Sequence, residues 1–277
     1  MPADRRPQAG PEITSPANPR IRQLIALRRR RTRQRAAVSL VEGSEELDVA
    51  LAAGVRPCAL YYCPDLVTGD AVRRVDRIAD LGAEVFRVSR QVFGKIAYRE
   101  SPDGWLAVVP AVRDDLSRLE IGARPLLLIC ERVEKPGNLG AMLRTADGAG
   151  AAAVIAADSV TDWGNPNVVR ASKGTVFSVP VASAASAEVM HWLTERAVTL
   201  VATTPDAGLL LTDADLTGPT AIAVGSERYG LSAQWLARAD VRVRIPMFGR
   251  ADSLNVATSA AIAVYEAVRQ RMLSGLV

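Results

Sequence analysis

Apolar positions along this chain follow two rhythms. From Asn18, Ile21, Leu24, Ile25 and Leu27 recur at helical spacing among arginines, which predicts an amphipathic helix. Up to Pro110 the chain then alternates short runs, with helices predicted over 44–53, 71–81 and 89–96 and strands over 59–63, 84–88 and 105–110. Gly54, Gly82 and Gly104 fall between these units as caps and turns. A small α/β domain over 17–110 follows. Beyond Pro125 the apolar runs become continuous: LLLIC (126–130), AAVIAA (152–157), VTLVAT (198–203) and TAIAVG (220–225). Helices are predicted over 138–149 and 254–273. Strands that are apolar on both faces and alternate with helices predict a parallel α/β sheet covered on both sides. VRVRIP (241–246) alternates apolar and charged residues, as a half-exposed strand would. Residues 111–124, charged and containing a glycine, read as the linker. Residues 1–16, polar and rich in proline, read as disordered.

Composition narrows the class. With 277 residues and 49% hydrophobic content, the chain has apolar material for two cores. No apolar stretch is long enough to span a bilayer, and the N-terminus lacks the apolar core of a secretory signal. Three cysteines (Cys58, Cys63, Cys130) leave one unpaired in any disulfide scheme, and the single histidine, His191, argues against a zinc site or a histidine-based triad. A cytoplasmic, metal-free, soluble protein is the expectation. Net charge is +4, unevenly spread: residues 1–110 carry 18 Lys/Arg against 13 Asp/Glu, the remainder 16 against 17. Eight arginines fall between Arg20 and Arg35, among them Arg28, Arg29, Arg30, Arg31, Arg33 and Arg35. Such a stripe beside a neutral larger domain points to a polyanion, with a merely solvated helix as the alternative. Aromatics make up only 5% of the chain, which argues against base stacking dominating any RNA affinity.

Three segments of the second domain look unlike ordinary scaffold. In EKPGNLGAMLRTADGAG (134–150), Asn138 stands where a helix N-cap would be, whereas Arg144 is not required by capping. In VGSERYGLS (224–232), Gly225 permits close backbone approach at a strand end and Glu227 can position a polar group; a tight turn with a solvated Glu is the other reading. In IPMFGRADSLNVATSAAIAVYEAVRQR (245–271), Asp252 and Ser253 can cap the closing helix, with Asn255 in its first turn.

The order and spacing of these strings resemble the three motifs of the SpoU/TrmH family, the S-adenosylmethionine-dependent RNA ribose 2′-O-methyltransferases of the SPOUT superfamily. ASKGTVFSVPV (171–181) is similar to that family's connecting segment, so the resemblance covers 125–273. The N-terminal strings ANPRIRQLIALRRRR and LVEGSEELDVALAAGV resemble, more loosely, an L30e-like substrate-binding domain. The resemblance implies a C-terminal sheet threaded through a deep trefoil knot near 203–208, 225–231 and 245–255. It implies S-adenosylmethionine held by the backbones around Thr203, Gly225, Ile245 and Leu254. It gives Arg144 a role at the reacting oxygen, as proton acceptor or as clamp of the target phosphate and the developing alkoxide. Asn138 would orient Arg144 and the ribose, and Glu227, Ser253 and Asn255 would hold the active-site loops and substrate. Arg170 would contact RNA phosphate or cofactor, and a homodimer would form through the C-terminal helix and knot.

By the same resemblance the substrate is RNA, with 23S rRNA favoured, tRNA as the alternative, and antibiotic resistance as a role shared by enzymes of this layout. A dehydrogenase or kinase would need GxGxxG after the first strand or GxxxxGK[ST], and neither is present. A non-catalytic RNA-binding protein would need only the basic N-terminal region.

Overall fold

A computed structural model describes residues 12–276. The expectation of disorder over 1–16 therefore lies, up to residue 11, outside the described residues. Ile13, within that stretch, instead forms a parallel bridge to Val88: its N–H donates to Arg87 O at 2.9 Å and its carbonyl accepts from Ser89 N at 3.1 Å. Two compact units are present. One comprises the described residues up to Val112 with Gly164–Phe177, the other Arg113–Trp163 and Ser178 onward.

The first unit begins with two short helices, α1 (Pro19–Ala26) and α2 (Arg30–Ala36), rather than one. Asn18 starts α1 by accepting from Arg20 N at 2.9 Å, with Pro19 in the first turn. The chain breaks at Leu27, and Arg33 explains how the two helices stay joined. Its guanidinium is buried and donates to Leu27 O (3.0 Å) and Arg28 O (2.8 Å), carbonyls left over at the end of α1. Next come β1 (Val38–Glu42), α3 (Ser44–Ala52), β2 (Ala59–Tyr62), α4 (Ala71–Asp80), β3 (Glu84–Arg87), α5 (Arg90–Ile96) and β4 (Trp105–Pro110). The sheet order is β1-β4-β2-β3, antiparallel except for β2–β3. Ile21, Leu24, Leu40, Phe93 and Leu106 form its core. Buried Glu42 accepts from Tyr98 N at 2.7 Å and Arg99 N at 3.3 Å, tying β1 to the turn after α5. The helix Pro166–Ala171 also belongs to this unit.

The second unit is built on seven strands: β5 (Leu126–Glu131), β6 (Ala153–Ala157), β7 (Val181–Ala184), β8 (Thr199–Thr203), β9 (Leu209–Leu210), β10 (Thr220–Val224) and β11 (Val241–Arg244). They lie in the order β7-β6-β5-β10-β8-β11-β9, and every pairing is parallel, as the continuous apolar runs predict. All six residues of β5 and all five of β10 are buried, whereas only Val243 is buried in β11. Helices α6 (Pro136–Gly148), α8 (Ser186–Glu195), α9 (Ala233–Arg238) and α10 (Val256–Leu273) complete it, α7 being Pro166–Ala171 of the first unit. Residues 113–124 pack as part of this second unit: Leu116 is buried in its core beside Leu127 and Ile129, and Asp114 O accepts from Ser183 N at 2.8 Å. No described helix is long and apolar enough to cross a membrane.

Candidate active site

The C-terminal ends of β8, β10 and β11 open onto one cavity of about 590 Å³. Loops leaving parallel strands at that end are where such sheets bind ligands. Thr203, Gly225, Ile245 and Leu254 all line this cavity, from segments far apart in the chain, and so do Glu227, Ser253 and Asn255. The sequence-predicted cofactor residues are thus brought to a single wall set. The Thr203 hydroxyl donates to Ala223 O at 2.9 Å, so its side chain staples β8 to β10 and leaves backbone to face the cavity.

Gly225 starts the tightest turn in the site. A Cβ there would stand 1.9 Å from the Gly230 carbonyl carbon and 2.1 Å from Leu231 N, so only glycine lets the loop fold back. Ser226 and Gly230 then pair reciprocally, at 3.1 and 3.0 Å, and Gly230 takes a φ of +66°. This hairpin projects Glu227 toward α6. Its carboxylate accepts from the Asn138 amide at 2.6 Å and, at longer range, from Lys135 N (3.4 Å) and Glu134 N (3.5 Å). An anion at this helix end also meets the positive end of the helix dipole. Burial alone would push the Glu227 carboxyl upward. The hydrogen bonds from its own backbone, Asn138, Glu134 and Lys135 together outweigh that, and its pKa lies below the usual glutamate value.

Asn138 therefore is not the N-cap of α6. Lys135 occupies that position without a side-chain cap bond, and Asn138 sits inside the first turn. Its amide NH₂ is committed to Glu227, and its Oδ1 accepts from Asn255 Nδ2 at 3.2 Å. Asn255, rather than Asp252 or Ser253, caps α10, accepting from Ala257 N at 2.9 Å. One Asn–Asn–Glu chain thus ties three segments at the cavity rim. Arg144 lies six residues beyond Asn138, about 9 Å along the helix and a third of a turn round. It is exposed, does not line the cavity, and its side chain makes no hydrogen bond or ion pair to another described residue. Asn138 accordingly orients Glu227 and Asn255 here, not Arg144.

Two residues unremarked in the sequence also build the site. Glu131, the last residue of β5, is 1% exposed and accepts from Ser232 N at 2.7 Å, supplying the cap that α9 lacks from its own Ser232 side chain. Gly225 and Glu131 thus pin the two ends of the Glu227 loop. Thr161 donates to Glu134 O at 2.6 Å and steadies the segment before α6. An acidic residue closing an apolar strand was the available signal for Glu131.

Of the arginines singled out, Arg170 is exposed in the last turn of α7, in the first unit. Arg29, Arg30, Arg31 and Arg35 are exposed on or beside α2. Arg28 and Arg33 are differently placed. Arg28 donates to Lys95 O (2.8 Å) and Ala97 O (2.9 Å) and lies 5.1 Å from the Tyr98 ring, and Arg33 is the buried tie between α1 and α2. Both guanidiniums are engaged inside their own unit. Among the described residues, no group of three His, Cys, Asp or Glu side chains could hold a metal ion.

Comparisons with known proteins agree with this layout. Residues 125–265 match the SpoU rRNA Methylase family, and residues 18–107 match the MRM3-like substrate binding domain. The 23S rRNA (uridine(2479)-2′-O)-methyltransferase of Streptomyces viridochromogenes is 34% identical over 96% of this chain and 95% of its own. The 23S rRNA (guanosine(2553)-2′-O)-methyltransferase RlmP of Bacillus subtilis is 30% identical over 92% of this chain and 98% of its own. The crystal structure of an AdoMet-bound rRNA methyltransferase from Sinorhizobium meliloti superposes with a TM-score of 0.85, at 29% identity, over 94% of this chain and 97% of that one. From the order of its site segments to its full-length relatives, this chain belongs to the SpoU rRNA methylase family, whose members methylate RNA at the ribose 2′-oxygen.

Proposed function

We propose that this protein transfers a methyl group from S-adenosylmethionine to a ribose 2′-hydroxyl of 23S rRNA. The observation that carries the reading is the convergence of Thr203, Gly225, Ile245 and Leu254 on one cavity together with the Glu227–Asn138–Asn255 chain. The residues present fit that cofactor. At about 590 Å³ the cavity lies in the range of small-molecule sites, Ile245, Met247 and Leu254 give it apolar walls, and the backbones at Thr203 and Gly225 offer polar edges for an adenine. When bound, the cofactor supplies an electrophilic methyl carbon on sulfur.

Glu227, held low and anchored to α6, keeps the 225–232 loop in register, and Asn138 and Asn255 fix it to α10. Ser253 would hydrogen-bond at the cavity mouth. Arg144, exposed on α6, would clamp a target phosphate and stabilise the developing alkoxide. The first unit, with Arg29, Arg30, Arg31 and Arg35 exposed, would hold rRNA phosphates, as an L30e-like domain would. The loops around 203–208, 225–231 and 245–255 would thread the trefoil knot. α10, with Ile262, Tyr265, Met272 and Leu273 exposed, would carry a homodimer contact.

Titration calorimetry with S-adenosylhomocysteine and primer extension on rRNA from cells with and without the gene test this directly. Heat of binding plus one gene-dependent 2′-O-methyl stop is the expected result. A protein that only binds RNA gives neither. Drug sensitivity of the same two strains tests resistance as the biological use of the mark. Arg144→Ala should keep cofactor affinity within a few-fold and slow methyl transfer at least about a hundredfold. Turnover at the wild-type rate would remove Arg144 from the mechanism.

A further inference from the structure

Aromatic rings are scarce in this chain, and where the exposed ones lie is not what a solvated surface would produce. Of 13 Phe, Trp and Tyr residues, all within the described region, only two are more than half exposed: Tyr229 at 76% and Phe248 at 96%. Both belong to loops that line the same cavity. Tyr229 lines it from the β10–α9 loop, and Phe248 follows Met247, which lines it from the loop after β11.

The Tyr229 ring is presented on a fixed support. The reciprocal Ser226–Gly230 pair closes the hairpin beneath it, and Tyr229 N donates to Ser226 Oγ at 3.2 Å. An arginine lies over one ring and another follows the second in the chain. The Arg228 guanidinium lies 5.1 Å from the Tyr229 ring centre, and exposed Arg250 stands two residues after Phe248. A flat apolar face beside a cation is what one nucleotide needs, a ring for its base and a charge for its phosphate. A protein partner or a lipid surface would call for broader apolar area than two separate rings provide.

We propose that Tyr229 and Phe248 form a stacking rim that receives unpaired nucleobases of the RNA, the target base or its neighbour, and so selects a single-stranded or splayed-out target. This rests on the methyl-transfer reading above and adds to it the form of the substrate. The rim is a determinant of substrate binding, whereas the stripe on α2 contributes charge without regard to base stacking. Five per cent aromatic content limits how many bases can be stacked, but two rings beside the cavity suffice to hold one flipped nucleotide.

The experiment uses the full-length protein, tritiated S-adenosylmethionine, and protein-free ribosomal RNA from a host lacking the gene. Phe248→Ala and Tyr229→Ala should each raise the KM for RNA about five- to a hundredfold, the span of losing one base–aromatic stack. Phe248→Leu should resemble Phe248→Ala, while Phe248→Trp retains the wild-type KM, since area without a π-face does not stack. All four native tryptophans are buried, so Phe248→Trp also installs a reporter whose fluorescence RNA should quench. S-adenosylhomocysteine affinity and sedimentation coefficient of Phe248→Ala should match the wild type. An unchanged KM in the double alanine variant overturns the rim. So does full function in Phe248→Leu, or a shift of Phe248→Ala to a smaller species, which would assign the ring to a contact between copies. Absence of methyl transfer by the wild type is a distinct result, because it removes the enzymatic reading itself and the rim with it.

Discussion

Replacing Gly225 with alanine tests whether the tight return of the Glu227 loop builds the cavity. The added Cβ would lie 1.9 Å from the Gly230 carbonyl carbon, with Gly230 O and Leu231 N both at 2.1 Å. All three are backbone atoms, so no side chain can swing aside. Reaching a carbon–carbon contact of about 3.5 Å requires the 226–231 hairpin to move by about 1.6 Å. Glu227 rides on that hairpin, and its 2.6 Å bond to Asn138 does not survive such a displacement. Overpacking of this kind costs about 1–3 kcal/mol. Loss of a hydrogen bond to a charged group adds about 1.5–3 kcal/mol. At about 2–4 °C per kcal/mol for a domain of this size, the melting temperature should fall by roughly 5–25 °C. One cavity wall moves with the loop, so S-adenosylhomocysteine affinity should drop at least about tenfold, or about 1.4 kcal/mol. Gly208→Ala is the control, because a Cβ there meets nothing within 4 Å. Thermal melts and titration calorimetry on both variants decide the matter. If Gly225→Ala melts and binds like Gly208→Ala, the close approach does not shape the site.

Arg271 is 7% exposed and donates to the carbonyls of Leu216, Gly218, Arg124 and Pro125, fastening the end of α10 to the starts of β5 and β10. Arg271→Met should cost about 3–5 kcal/mol in chemical denaturation, because four carbonyls, those of buried Leu216 and Pro125 among them, lose this donor. Glutamine in place of Arg29, Arg30, Arg31 and Arg35 together should flatten the slope of log RNA affinity against log salt by about 3–4 for duplex RNA, with S-adenosylhomocysteine binding unchanged. Arg33→Gln alone should instead lower the melting temperature of the first unit and leave the salt slope nearly as it was. Glu227 has a lowered pKa in the fold, so its contribution is fully present above its unfolded pKa of about 4.3 and is lost as pH falls through the lower folded value. The stability advantage of the wild type over Glu227→Gln should therefore hold at pH 6 and vanish toward pH 3, and a constant gap across that range would refute the assignment.

What the sequence disclosed and what it hid follow from the range of the interactions concerned. The continuous runs at 126–130 and 220–225 announce β5 and β10 because burial on both faces leaves a mark in every residue. β1 left none of comparable strength. It follows an arginine-rich helix at once, and its partner β4 lies more than sixty residues away. β7 and α9 are short, with few periods to count, and two-residue β9 has none. Arg33 and Arg271 read as solvent-facing charges because arginine usually is. Only the tertiary fold shows the loose carbonyls that each one collects. Asn138 is the most instructive case. Its place before an apolar helical pattern fits an N-cap, but the partner that decides its role is Glu227, 89 residues on, and no local rule reaches so far. The cavity-lining set was legible for a different reason: its residues sit in strings whose order matches a known family, and the strand ends bring those strings together.

The proton of the ribose hydroxyl sets the remaining constraint on the chemistry. A general base works best with a pKa near the working pH, and Glu227 is displaced the wrong way, since the bonds that anchor its carboxylate also lower its proton affinity. His191 is the only histidine, and it is exposed on α8 beside Glu195 Oε1 at 3.3 Å, outside the cavity lining. Arginine stays protonated in water at any physiological pH. Glu227, His191 and the arginines thus each lack an ordinary qualification of a base. In the proposed reaction much of the rate would come from placement, with the cavity holding the methyl donor and Arg144 supplying positive charge at the reacting oxygen. The form of the site suits such a demand. The Glu227 loop is pinned by Gly225 at one end and Glu131 at the other and bound across its middle to Asn138 and Asn255, so the geometry is fixed before any substrate arrives.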